Sequence, residues 1–400
     1  MTRPVTDPVT DLVTGPVTGP VTGPVTGPVT GPVTGLVISV VVPTVGRPSL
    51  AATLAALPAE LEVVVVDDRP PGPDRGELGG LPRHARVVRS GGRGPAAARN
   101  AGWRASEGEW VAFLDDDVVP GPGWARALLA DLADLPADVA ACQGRIEVPL
   151  PAGRRPTDAE RDTAGLAEAG WITADIAYRR SALERTGGFD ERFPRAYRED
   201  ADLALRVSGA GLRLVRGRRV SLHPVRDDGF LSSLRRQRGN ADDALMRRVH
   251  GPGWRERLGG APGRLRRHAL TSALGVAAAG LAARAWAGGA PPPVATARRG
   301  TARSGTARSG TRAAVAARAA RGRTASGRAA GRAAAGWTAS GWAAAVAGLG
   351  WAALTAEFAW ARIAPGPRSA GEVARMLVTS VAIPPAACLH RVRGELRARR

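Results

Sequence analysis

The chain has 400 residues, with 56 arginines, no lysine, 36 acidic residues and a net charge of +20. A chain of that length divides into roughly two to three domains. Two cysteines, Cys142 and Cys388, exclude a disulfide framework, have no metal-site spacing and fit a reducing compartment. The charge is uneven: residues 261–400 hold 22 arginines against 3 acidic residues, so +19 of the +20 lies there. Such a basic appendage suits an anionic surface such as phospholipid. The apolar stretches within it favour lipid, and no nucleic-acid partner is expected.

Residues 1–35 are a Pro-Val-Thr-Gly repeat that settles into five Gly-Pro-Val-Thr units from Gly15 to Thr34. A proline in nearly every tetrad removes donors and blocks both helix and central strand, so this segment reads as extended and disordered. It lacks the charged start and continuous apolar core of a signal peptide.

From Leu36 the pattern changes to alternating strands and helices. Residues 37–42 form a buried strand and 43–48 a turn. Ser49 caps a helix carrying Leu50, Leu54 and Leu57 at helical spacing. Residues 62–66 form a second strand ending in Asp67-Asp68, and 86–88 a shorter third. A helix over 95–105 is entered through Gly91-Gly92-Arg93-Gly94. Residues 110–114 are a fourth apolar run leading into Asp115-Asp116-Asp117, and a helix follows over 124–135. Strands alternating with helices predict crossover units, a mostly parallel sheet and an α/β fold. Both Asp-tipped strands then open on one edge, where open α/β sheets bind ligands.

Three carboxylates at a strand tip are unfavourable unless a cation meets them. A hard divalent ion uses a few carboxylates and keeps positions for water and phosphate oxygens, so the triplet points to a metal site serving a phosphorylated substrate. The competing reading is a solvated Asp turn capping the next helix.

Six motifs in order resemble the family 2 glycosyltransferases over roughly residues 37–251. They are Val41-Val42-Pro43-Thr44, Val64-Val65-Val66-Asp67-Asp68, Ala97-Ala98-Arg99-Asn100-Ala101-Gly102, Phe113-Leu114-Asp115-Asp116-Asp117, Gly187-Gly188-Phe189-Asp190-Glu191 and Glu199-Asp200-Ala201-Asp202-Leu203. The resemblance implies a GT-A domain over 36–260, the Rossmann-like fold of nucleotide-diphospho-sugar transferases, followed by a C-terminal α-helical, partly disordered extension. It implies an inverting transfer of one sugar from a nucleotide-diphosphate sugar to an acceptor hydroxyl of a glycan, lipid or small molecule. Asp200 is the expected general base, with Glu199 orienting substrate beside it. Pro43, Thr44, Arg47, Asp67, Asp68, Arg93, Arg99, Asn100, Asp115 and Asp116 fall on the donor side. Asp115, Asp117 and His223 are expected to hold Mg2+ or Mn2+. Trp171, Asp175, Gly188 and Phe189 mark the acceptor region. A carboxylate at a helix start stays ionised in the positive end of the helix dipole, as a base must. Arg99 is equally placed for a structural ion pair with Asp68 or the triplet, and Asn100 for fixing a carboxylate. The Gln-x-x-Arg-Trp form of processive synthases is missing from 235–240, which favours single-sugar transfer.

Beyond the catalytic domain, residues 261–290 form a helical segment, 291–336 a disordered Arg/Ala/Gly linker and 337–400 a second helical region. Residues 269–286 and 343–361 approach the roughly 20 residues of a membrane span, whereas 376–389 is short and broken by Pro384-Pro385. Tryptophans and flanking arginines fit helices in or on a membrane interface, placing the enzyme in the cytoplasm at the inner face of the cell membrane. Two other functions compete: a nucleotidyltransferase, which would want a Gly-rich basic loop after the first strand, and a non-catalytic nucleotide-sugar or lipid-binding protein.

Overall fold

A computed structural model describes residues 35–73, 76–226, 229–288 and 340–398. The repeat of residues 1–34 and the linker expected over 291–336 lie outside the described residues.

Eight strands form one sheet: β1 (Ile38–Thr44), β2 (Glu62–Asp67), β3 (Ala85–Arg89), β4 (Trp110–Leu114), β5 (Val119–Pro120), β6 (Val139–Glu147), β7 (Asp175–Arg179) and β8 (Arg213–Leu222). Their order is β3-β2-β1-β4-β7-β6-β8-β5. The first four are parallel. β7 enters antiparallel between β4 and β6, β6 and β8 are parallel, and β5 is antiparallel to β8. The sheet is therefore mixed where the sequence predicted it mostly parallel.

Period-two alternation splits the strand side chains between two cores. On one face, Val40, Val42, Val63, Val65, Ala112 and Leu114 pack with α1 (Leu50–Ala55) and α3 (Trp124–Leu132). On the other, Val41, Val64, Val66, Val111 and Phe113 pack with α2 (Pro95–Ala105), α5 (Arg180–Thr186) and α6 (Glu199–Gly209). α2 lies so close to the sheet that a Cβ at Gly102 would collide with Val41 and Val66. The other helices before the C-terminal three are α4 (Asp158–Ala164), α7 (Ser232–Arg235), α8 (Gly239–His250) and α9 (Trp254–Arg257). Ser49 does not cap α1: its own backbone is already helical and its side chain makes no cap bond. α3 ends at Leu132, earlier than its apolar pattern implies.

Three long helices follow: α10 (Leu265–Gly288), α11 (Ser340–Ile363) and α12 (Ala370–Ala398). By length and composition all three could cross a membrane. α12 corrects the expectation of a short broken segment, since it runs continuously through Pro384 and Pro385. Two prolines leave two carbonyls without helical donors, and tertiary contacts offset this. Arg375 donates to the carbonyls of Gly229 and Phe230 and to Ser232 Oγ. Arg362 donates to Thr379 and Ser380. Gly394 packs against the Ala241 backbone.

Candidate active site

Parallel pairing of β1 with both β2 and β4 brings Thr44, Asp67 and Asp115 to one sheet edge. There, Thr44 Oγ1 donates to Asp116 Oδ2 at 2.6 Å and Arg47 donates to Asp116 Oδ1 at 2.6 Å. Asp116 is buried and ties the β1 turn to the β4 tip. Pro43, paired with Val66, is half-buried just behind this tie.

Asp67 and Asp68 differ in surroundings. Asp67 accepts from the backbone N–H and guanidinium of Arg69 at 2.9 to 3.1 Å. Together with Glu77, Leu78, Leu81, Val87 and Arg89 these two residues line an open cleft of about 240 Å³. Apart from Asp67, the cleft walls were not singled out in the sequence; the signals were Arg69 two places past the strand tip and Val87 on the edge strand β3. Asp68 corrects the ligand reading, because it accepts from Ser90 Oγ at 2.6 Å and the N–H groups of Arg93 and Gly94 at 3.0 and 2.9 Å. It folds the glycine loop, where Gly91, Gly92 and Gly94 all have positive φ. Arg93 at the tip of this loop pairs with Glu191 at 3.1 Å.

Arg99 corrects the phosphate reading. It is 1% exposed, and it donates to Asp115 Oδ1 at 2.6 Å and to Glu199 Oε1 at 2.7 Å, with its guanidinium over Phe189. Both carboxylates come from separate elements, so the guanidinium is a buried bridge rather than a ligand contact. Asn100 donates to Phe189 O and Glu191 Oε1, and accepts from Phe189 N–H and Trp103 Nε1–H. With its amide so engaged, Asn100 holds the Gly188-Phe189 turn and does not face the donor.

α6 begins at Glu199, after Arg198 in a left-handed conformation with φ +78. A non-glycine residue there is strained. Arg198 is held by Asp243 at 2.9 Å and by Tyr197 Oη at 2.6 Å, and its guanidinium stacks on Tyr197 and Trp254. Half-buried Asp200 accepts the Ala201 N–H at 2.7 Å. Burial raises the Asp200 pKa, opposed by that N–H and by Arg99 and Arg198. Burial and then the Asp200 charge push Glu199 up to about 8, against Arg99. Glu199 Oε2 is buried without a partner. Environments that separate two adjacent carboxylates give one of them the proton and leave the other as base.

Asp117 lies buried 2.9 Å from Arg226 and 3.7 Å from His223 Nε2. Its pKa is raised by burial and then by the Asp115 charge, with His223 and Arg226 opposing. Among the described residues no three Asp, Glu, His or Cys side chains converge into a ready cage. A hard cation takes part of its coordination from water and phosphate oxygens, so fewer protein donors suffice. The residues that would hold it are Asp117 and His223, with Asp115 nearby.

The acceptor region divides. Trp171 is half-buried with φ +63, its N–H on Gln143 Oε1. Asp175 corrects the acceptor reading: it is fully buried and accepts from Trp124 Nε1, Arg219 Nε and Ser221 Oγ, each at 2.7 Å. Gly188 packs on Asn100 and Trp103, and Phe189 is buried edge-on to Phe113 at 5.1 Å. Both are buried.

A family model described as glycosyl transferase family 2 matches residues 39–188. The pre-mycofactocin glycosyltransferase of Mycobacterium tuberculosis is 38% identical over 136 residues, 30% of this chain and 28% of that protein. The succinoglycan biosynthesis protein ExoW of Rhizobium meliloti is 37% identical over 86 residues, 20% of this chain and 27% of that one. The chain thus spans less than a third of the length of these curated relatives. Among solved structures it is similar to glucosyl-3-phosphoglycerate synthase from Mycobacterium tuberculosis in complex with Mn2+, UDP and phosphoglyceric acid, at 20% identity and TM-score 0.39, covering 55% of this chain and 80% of that one. It is also similar to GalNAc-T7 with UDP, GalNAc and Mn2+, at 18% identity and TM-score 0.38, covering 48% and 44%.

Proposed function

We propose, for a chain whose residues 39–188 belong to glycosyl transferase family 2, that it transfers a single sugar from a nucleotide-diphosphate donor to an acceptor hydroxyl with inversion. The observation that carries this reading is the Arg99 bridge. One buried guanidinium joins Asp115 at the β4 tip, 2.6 Å away, to Glu199 at the start of α6, 2.7 Å away. The Asp triplet on the donor side and the Glu-Asp pair therefore face one space.

In the proposed reaction the acceptor oxygen bonds to the anomeric carbon as the bond from that carbon to the diphosphate breaks. Asp200 takes the hydroxyl proton. Glu199 keeps its own proton near neutral pH and so leaves Asp200 ionised. The cleft beside Asp67 and Arg69 offers the nucleoside a carboxylate and an apolar floor of Leu78, Leu81 and Val87. Asp117 and His223, with Asp115 beside them, would hold a divalent metal, Mg2+ or Mn2+, which when bound would supply positive charge to the leaving diphosphate. Arg226, 2.9 Å from the Asp117 carboxylate and more exposed than it, supplies the same phosphates a second cation in this reading. The three long apolar helices support a location at the inner face of the cell membrane. The test is a panel of nucleotide sugars with Mg2+ or Mn2+ and model acceptors, with the product's anomeric configuration read by NMR. Retained configuration, or nucleotide-sugar turnover to a pyrophosphate-linked product, overturns the reading.

A further inference from the structure

Three helices qualify as spans by composition, yet their surroundings differ. Of the apolar window of α12, 33% is buried inside the protein, against 11% for α10 and 17% for α11. α12 buries Met376, Thr379, Ser380, Ile383, Pro384, Ala387 and Gly394. That face is fastened to the catalytic domain: Arg375 binds residues 229–232, Glu372 accepts the Asp158 N–H at 2.7 Å, and Gly394 meets Ala241. A span through lipid would have to tear these contacts away.

The opposite face of α12 is also apolar. Leu377, Val381, Pro385, Leu389, Val392 and Leu396 recur at steps of four or three, so at 3.6 residues per turn they share one stripe facing away from the buried set. The five non-proline members are 47% to 57% exposed. Arg393 and Arg397, both exposed, flank its C-terminal end.

α10 and α11 form an antiparallel pair. Arg267 meets Glu357, Gly275 meets Trp351 and Ala278 meets Gly348. α11 carries its own exposed stripe of Trp342, Val346, Leu349, Ala353, Ala356 and Trp360. The two tryptophans are about 27 Å apart at 1.5 Å per residue, close to the ~30 Å hydrocarbon thickness, at whose borders tryptophan is enriched.

Building on the membrane association proposed above, we propose that α12 lies in the plane of an anionic bilayer. Its stripe rests at the headgroup boundary and Arg393 and Arg397 meet anionic headgroups, while the α10–α11 pair enters the hydrocarbon. Exposed apolar area gives a salt-resistant component, and the +19 charge of residues 261–400 a salt-sensitive one.

The test uses the full chain with Cys388→Ala and buried Cys142 left in place, carrying either Val392→Cys or Leu349→Cys labelled with an environment-sensitive fluorophore. Vesicles of phosphatidylglycerol and phosphatidylcholine carry a quencher at a shallow or a deep acyl position. The expected result is at least twofold stronger quenching of the 392 probe by the shallow quencher, and the reverse at 349. Arg393→Glu with Arg397→Glu should weaken binding to anionic vesicles at least tenfold and leave binding to neutral ones unchanged. A 392 probe quenched best by the deep quencher overturns the in-plane placement while membrane association stands. A 392 probe untouched by either quencher on vesicle-bound protein shows the stripe covered by protein, such as a second copy, and also overturns it. Failure of the full chain to bind any vesicle overturns the association itself.

Discussion

Asp200→Asn separates catalysis from architecture. The amide keeps the carboxylate's shape, and its oxygen can still accept the Ala201 N–H that Asp200 accepts at 2.7 Å. Burial already disfavours the Asp200 charge, so the neutral amide should leave thermal stability equal or slightly raised. What disappears is the proton acceptor. A positioned general base contributes about 10²–10⁴ in rate, or roughly 3–5 kcal/mol of barrier. Nucleotide affinity should stay within about twofold of wild type, because the base acts on the acceptor hydroxyl alone. The assay pairs turnover at saturating donor with calorimetric titration of nucleoside diphosphate plus Mn2+. In wild type, turnover should fall as pH drops through the raised Asp200 pKa. A rate loss below tenfold, or nucleotide affinity lost together with the rate, would refute the assignment of Asp200 as base.

Asp117→Asn should lower metal-stimulated turnover at least 100-fold with an unchanged circular dichroism spectrum; full turnover in excess chelator would remove the metal from the mechanism. Arg99→Met removes the cation shared by Asp115, which is partly exposed, and Glu199, which holds its proton near neutral pH, so the loss should lie below the about 3–5 kcal/mol of a fully buried broken pair; urea unfolding at pH 7.5 measures it, and no loss would mean the bridge is not structural. Glu199 has a folded pKa of about 8, above its unfolded value. The unfolded chain therefore holds fewer protons between about pH 4.5 and 8, and stability from this group is present below that window and lost as pH rises through it. Glu199→Gln should remove that fall, so its stability relative to wild type should improve from pH 5 to pH 9; a flat difference would place the proton elsewhere.

The parallel half of the fold was legible because its signals are local. β2, β4 and α2 are apolar runs or helical stretches bounded by their own turn residues, and the edge bearing Asp67 and Asp115 follows from parallel pairing alone. The antiparallel insertion of β7 between β4 and β6 was not legible, since no local pattern encodes which strand a segment will join. Asp175 shows the consequence. Beside Trp171 and Tyr178 it has the look of an acceptor residue, but the Arg219 that neutralises it lies 44 positions later. Local rules likewise broke α12 at Pro384-Pro385, whereas contacts from residues 229–232 and 362 carry the helix through.

Of the two roles the sequence leaves open for Arg99, phosphate contact and ion pair with the triplet, the structure shows the ion pair with Asp115. The Ala-Arg-Asn motif marks the site, but ligand and scaffold roles both demand a cation near the triplet. Only Glu199, 100 residues away, decides between them. Held between Glu199 and Asp115 and 1% exposed, Arg99 is committed to these ion pairs, and in the proposed reaction charge for the diphosphate comes from more exposed cations on the same edge. Those are Arg47, 3.9 Å from Asp117, and Arg226, 2.9 Å from it, together with the proposed divalent ion. A guanidinium that fixes both Asp115 and Glu199 also couples them, so that a shift in one carboxylate is transmitted to the other through a single rigid plane. The positions of Asp115 and Glu199 are therefore tied together through one buried residue.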